Sequence, residues 1–142
     1  MPFLLDTDHV TLVQQDNDAG RRLMRRLDRV PVDDVATSIV SYQEQLQGWL
    51  AYLNRGLSPD EILEAYERLD KVRRAFERYN VLSFDRPAQE TFESLRPQCR
   101  RIGRLDLRIA SIALATGSTL LTRNFADFER VPRLRFEDWT QP

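Results

Sequence analysis

A small set of side chains in this sequence could do chemistry together. In "FLLDTDHV" the apolar run Phe3-Leu4-Leu5 ends in Asp6 and Asp8, with the chain's one histidine, His9, behind them. Glu44 lies in "SIVSYQEQLQG", Asp106 opens "RLDLRIASIALATG", and Asn124 and Asp127 follow "LLTR". Gathered carboxylates repel one another unless a cation neutralises them, and their oxygens, with water, suit Mg²⁺ or Mn²⁺. One histidine and one cysteine, Cys99, are too few donors for a zinc centre. A hard divalent cation in an acidic pocket handles phosphates: it acidifies bound water and clamps the attacking and leaving oxygens, so hydrolysis needs no protein nucleophile.

Those acids matter only if the fold brings them together. "FLL", "DDVATS", "NVLSF" and "STLLTR" read as short strands, and "LRF" near the end adds a fifth. Helical patterns separate them: "DHVTLVQQ", "NDAGRRLMRRLDRV", "IVSYQEQLQGWLAYLNRG" ending at Gly56, "DRPAQETFESLRPQCRR" broken near Pro97, and "RLDLRIASIALATG" ending at Gly117. "SPDE" opens the clearest helix, with Ser58 as N-cap, Pro59 at the first position and Glu61 completing a capping box. Ile62, Tyr66, Leu69, Val72, Phe76 and Tyr79 give that helix one apolar face, and it forms a long hairpin with the helix before it. Alternating strands and helices build a parallel sheet covered on both faces, an α/β fold. Ligands bind such sheets outside the carboxyl ends of the strands, which is where Asp6 stands.

Each acid also has a structural reading. Asp6 could cap the first helix, but Asp8 stands closer to the apolar helical pattern and competes for that role, which leaves Asp6 for chemistry. Ser41 and Glu44 have the spacing of a capping box; a helix starting from Ser38 instead puts Glu44 in its second turn, near Asp6. Asp106 shares a helix face with Ile109, Ala110 and Ala113, where a carboxylate needs a salt bridge to Arg104 or Arg108, or a cation. Asn124 and Asp127 are spaced to cap a short helix or to project from a strand end.

The 142 residues match the size of one domain, with 42% hydrophobic and 30% charged residues and a net charge of −1. That balance excludes a polycationic coat for duplex nucleic acid. All but one of the 21 basic residues are arginine, and they cluster in "RRLMRRLDR" and "RPQCRRIGRLDLR", either as solvated helix faces or as phosphate-binding surfaces. No segment reads as a signal peptide or a membrane helix, so a soluble cytoplasmic protein is expected.

Taken in order, "FLLDTDHV", "SIVSYQEQLQG" and "GRLDLRIASIALATGSTLLTRNFADFERVPRLRFEDW" resemble the PIN domain nucleases, in particular the VapC toxins of bacterial toxin–antitoxin pairs. The resemblance covers nearly the whole chain and implies one PIN domain over residues 1–142. It implies a three-layer α/β/α sandwich around a parallel sheet of four to five strands. It also implies metal-dependent cleavage of RNA, with structured RNA carrying a single-stranded loop as substrate, a homodimer and a VapB-like antitoxin. Carried over residue by residue, Asp6 and Asp106 become metal ligands for Mg²⁺ or Mn²⁺, Glu44 the third acid, and Asp127 with Asn124 the fourth position. The family commonly has Asn where Asp8 stands.

A second enzyme class fits the first motif alone. "DTDHV" matches the start of haloacid dehalogenase-like phosphatases, with Asp6 as nucleophile and Asp8 as general acid/base. That scheme needs a lysine at the site, and the one lysine, Lys71, lies within the long charged helix. It also leaves Glu44 and Asp106 without roles. A third reading, a catalytically inactive PIN-fold binding module, has no use for the complete acid set.

Overall fold

Short apolar strands carry the centre of the molecule. The computed structural model describes residues 2–142. Five strands, β1 (Phe3–Leu5), β2 (Val35–Ser38), β3 (Asn80–Leu82), β4 (Thr119–Leu121) and β5 (Phe136–Glu137), form one sheet in the order β3-β2-β1-β4-β5. Every pairing is parallel, with Leu4 opposite Ala36 on one side and Leu120 on the other.

Alternation along these strands splits the interior into two cores. Leu4, Ala36 and Leu120 face the helices α5 (Arg86–Leu95) and α6 (Arg104–Thr116), among Leu95, Ile109, Ile112 and Phe128. Leu5 and Leu121 face the opposite layer, with Val10 and Leu12 of α1 (Thr7–Val13), Leu23 of α2 (Asp18–Leu27) and Phe76 of α4 (Pro59–Arg78). Helix α3 (Ile39–Leu53) contributes to both. The result is the three-layer α/β/α sandwich expected from the sequence. Burial on both faces is why the strands read as continuous apolar runs. Among the described residues, no helix is long and apolar enough to cross a membrane.

Local signals place most of the helix ends. Ser58 and Glu61 form the reciprocal capping box ahead of α4, and Gly117 closes α6 in the left-handed conformation at φ 68°. Two expectations need correction. Helix α3 ends at Leu53 with Asn54 as its C-cap, and Gly56 has no left-handed conformation. The apolar face assigned to α4 is buried only in its second half: Val72 and Phe76 are core, whereas Ile62 is 39% exposed and Tyr66 58%. A helix of 20 residues is about 30 Å long, while three-residue strands span roughly 10 Å, so the first half of α4 overhangs the sheet. Helix α4 packs chiefly on α3, and Ala65 in its first half is fully buried.

Candidate metal centre

The carboxyl ends of β1, β2 and β4 lie side by side, and the chain leaves each of them into a helix. Asp6 follows β1 directly; its backbone N–H still donates to Leu121 O at 3.1 Å, and its extended conformation makes it the N-cap of α1. Its Oδ1 accepts from His9 N at 2.8 Å. This corrects the assignment of that cap to Asp8. The helix starts at Thr7 because the strand ends at Leu5, and no gap separates strand from helix. Capping occupies one oxygen. Oδ2 carries no hydrogen bond among the described residues, so the buried Asp6, 7% exposed, serves as cap and still presents an oxygen.

Asp8 is exposed and held by Arg123, which donates from Nε and Nη2 to its two oxygens at 2.7 and 2.9 Å. The pair ties α1 to the segment after β4 and pushes the Arg123 guanidinium further up from its ordinary range. His9 is fully buried, with Nδ1 3.4 Å from Asp6 and Nε2 3.9 Å from Asp138. Neither nitrogen makes a hydrogen bond. Asp6, Asp8 and His9 can bring one donor atom each within 4.8 Å of one another. Asp8 is already engaged by Arg123, and Asp6 is the member of this trio that also faces the other acids.

Glu44 reaches the same edge from β2. Ser38 caps α3, accepting from Ser41 N at 3.1 Å, so the Ser41–Glu44 capping box does not form and Glu44 lies in the second turn. Helical side chains lean toward the N-terminus, which carries the Glu44 carboxylate back toward β1. Thr7 Oγ1 is 2.7 Å from Glu44 Oε1 and 3.0 Å from Ser41 Oγ, linking α1 to α3 through hydroxyls. Thr7 was not identified from the sequence, and Ser41 was read there only as a candidate cap. The signal was there: with Asp6 as cap, Thr7 becomes the first helical residue, at the strand edge it shares with α3.

Asp106 stands in the first turn of α6. Among the described residues no ion pair holds it; Arg108 instead lies over the rings of Phe84 and Phe92, with its guanidinium carbon 5.9 and 5.4 Å from their centres. Burial first, and then the charges of Glu44, Asp6 and Asp127, raise its carboxyl to about 6 from an ordinary 3.8. Glu44, Asp6 and Asp127, from three other parts of the chain, thus lie near enough to act on the charge of Asp106. Asp127 gets there from α7 (Phe125–Phe128), whose N-cap is Asn124. Asn124 donates from Nδ2 to Asp127 Oδ2 at 2.9 Å and accepts from Asp127 N at 3.3 Å. Thus Asp127 supplies the charge and Asn124 aims it.

The donors fit a hard divalent cation. They are carboxylates backed by hydroxyls, their mutual repulsion is unrelieved, and among the described residues no lysine or arginine pairs with Asp6, Glu44, Asp106 or Asp127.

Comparison with known proteins identifies the family and the fold. The sequence profile of the PIN domain matches residues 3–134. Ribonuclease VapC1 of Haemophilus influenzae is 27% identical over 146 aligned residues, covering 99% of this chain and all of the relative. The structure of VapBC-1 from nontypeable Haemophilus influenzae superposes with a TM-score of 0.77 at 25% identity, over 99% of this chain and 100% of that one. VapBC2 from Rickettsia felis, solved bound to a DNA fragment from its promoter, gives 0.74 at 24% identity over 98% and 99% of the two chains. With the profile spanning residues 3–134, the chain belongs to the PIN domain family.

Proposed function

We propose that this chain is one PIN domain acting in the cytoplasm as a metal-dependent endoribonuclease, the toxin of a toxin–antitoxin pair. The observation that carries the reading is the convergence of Asp6, Glu44, Asp106 and Asp127 from four segments of the chain, close enough for the other three to raise the carboxyl of Asp106. Asp6 and Asp106 would hold Mg²⁺ or Mn²⁺, with Glu44, Asp127 and Asn124 completing the site. The ion would supply Lewis acidity and an acidified water for phosphodiester hydrolysis. The chain's own residues orient the donors: Thr7 fixes Glu44, Asn124 fixes Asp127, and the first helical turn fixes Asp6. Single-stranded or loop RNA is the substrate class, because its bases splay out for recognition. The similarity to Ribonuclease VapC1 along its whole length supports the ribonuclease reading.

The purified chain is expected to cleave single-stranded RNA in Mg²⁺ or Mn²⁺ and to lose that activity in excess EDTA. Hydrolysis of a simple phosphomonoester, abolished in Lys71→Ala, would instead favour the phosphatase scheme. Lys71 is exposed on α4 and lines a cavity that contains none of the four acids.

The same carboxylates are complementary to a guanidinium, which pairs bidentately with carboxylate. A VapB-like antitoxin that seats an arginine among them would compete with the metal. Inhibition is then expected to weaken as Mg²⁺ rises, measured by RNA cleavage in the co-purified complex; inhibition indifferent to Mg²⁺ and to every arginine of the partner would rule out this plug. Leu50, Ile62, Leu63 and Tyr66, exposed on α3 and α4, offer apolar surface for the antitoxin or for the second copy in a homodimer.

A further inference from the structure

A cavity runs outward from the acid edge and shares a wall with a second. The first, about 650 Å³, begins at Thr7 and Glu44 and passes Gly48 and Trp49. The second, about 500 Å³, continues from Trp49 to the flank of α4, lined by Arg68, Lys71, Arg74 and Arg78. Thr11, Gln45 and Trp49 belong to both, so the two form one groove. Along α4 the cations extend over about 15 Å at 1.5 Å per residue. Arg68 reaches Glu64 only at 3.8 Å and Arg74 pairs with Asp70, while Lys71 and Arg78 make no ion pair among the described residues.

Four cations on one wall are a local excess in a chain whose net charge is −1. Half of the ten arginines in the two runs singled out in the sequence are, by contrast, spent on structure, Arg108 over Phe84 and Phe92 among them. Arg21 pairs with Asp16 and Asp18, Arg22 donates to Thr140 O, Arg26 lies over Trp139, and Arg96 donates to Ile102 O.

We infer that this groove is the track for the single-stranded RNA substrate on one side of the scissile phosphate, with Lys71 and Arg78 holding phosphates and Trp49 stacking a base beside the acids. The inference rests on the ribonuclease reading and extends it to named residues outside the acid cluster. Cations tracking a backbone beside an aromatic platform are the recurrent means of holding single strands without reading sequence. Trp49 is half-buried, braced edge-on by Tyr52 with ring centres 5.7 Å apart. A Cβ placed on Gly48 would meet no atom within 4 Å, which leaves the passage open beside Trp49.

The test measures binding of a fluorescein-labelled single-stranded RNA of mixed sequence in EDTA, so that binding is read without cleavage. Lys71→Glu/Arg78→Glu is compared with Arg100→Glu/Arg101→Glu, which makes the same charge change in the loop before α6. The groove variant should bind at least tenfold more weakly, with the slope of log Kd against log salt reduced by about 1.4. The control should stay within about threefold of wild type, the small change expected from net charge alone. Trp49→Ala should cost about tenfold and Trp49→Phe much less, since stacking needs only a ring. In Mg²⁺ the groove variant should raise KM for RNA and spare kcat.

Equal losses in both charge variants, or none in the groove variant, would overturn the track while leaving RNA cleavage intact. Lost affinity for a co-expressed antitoxin, with RNA binding unchanged, would overturn it in favour of a protein-binding groove. A wild type that neither binds nor cleaves RNA would remove the ribonuclease reading itself.

Discussion

Asp106→Asn is expected to abolish metal-dependent RNA cleavage while making the metal-free protein more stable. The loss of activity should be on the order of 10³-fold, the scale of removing one preorganised charged group from a site. The gain in stability follows from the same group. Its carboxyl is raised to about 6 from 3.8, so between about pH 4 and pH 6 the folded chain binds more protons than the unfolded chain. Stability therefore falls as pH rises through that window, and the penalty is fully present at neutral pH. Because the carboxylate is only half-buried, solvent screens it, and the penalty is on the order of 1 kcal/mol. Asparagine keeps the shape without the charge, which should raise the melting temperature by about 3 °C at neutral pH and by almost nothing below pH 4. Added Mg²⁺ should stabilise the wild type and leave the variant unmoved. A variant that cleaves at wild-type rate, or whose stability difference is the same at both pH values, would remove Asp106 from the metal centre.

The second large effect concerns the helix that carries Asp106. Ile109, one turn further along α6, is fully buried in the core between that helix and the sheet. Ile109→Ala should cost about 2–5 kcal/mol, the transfer term plus a cavity that close-packed neighbours fill only in part. Against a domain stability of roughly 5–15 kcal/mol, that is a substantial fraction of the total. Urea denaturation measures it, with an unchanged m-value showing that the loss lies in stability. A loss under about 1 kcal/mol would mean that α6 relaxes into the gap. Asp106 would then sit on a less rigid element than its packing indicates.

Much of this architecture was legible from local chemistry. Five apolar runs became five parallel strands, and Ser58, Pro59 and Glu61 marked the start of α4 because each satisfies or omits a backbone donor at that point. The edge where Asp6 stands followed from parallel topology. What stayed hidden depended on neighbours distant in sequence. Whether Asp6 or Asp8 caps α1 is decided by where β4 stops pairing with β1, and by Arg123 drawing Asp8 outward. The overhang of α4 was invisible because an apolar stripe has the same periodicity whether or not a sheet lies beneath it. The basic groove was missed for a related reason: its cations are spaced along α4, whereas the eye is drawn to contiguous arginine runs.

The position of β4 in the sheet bears on how such a protein is made. β1, the first strand synthesised, lies between β2 and β4, and β4 is complete only at Leu121. Until the ribosome has delivered that strand, β1 has an unpaired edge, and the supports for Asp106 and Asp127 do not exist. A chain broken off between Glu44 and Asp106 keeps Asp6 and Glu44 but has no assembled centre. Assembly of the acid edge therefore waits on β4, however early in the chain Asp6 and Glu44 lie.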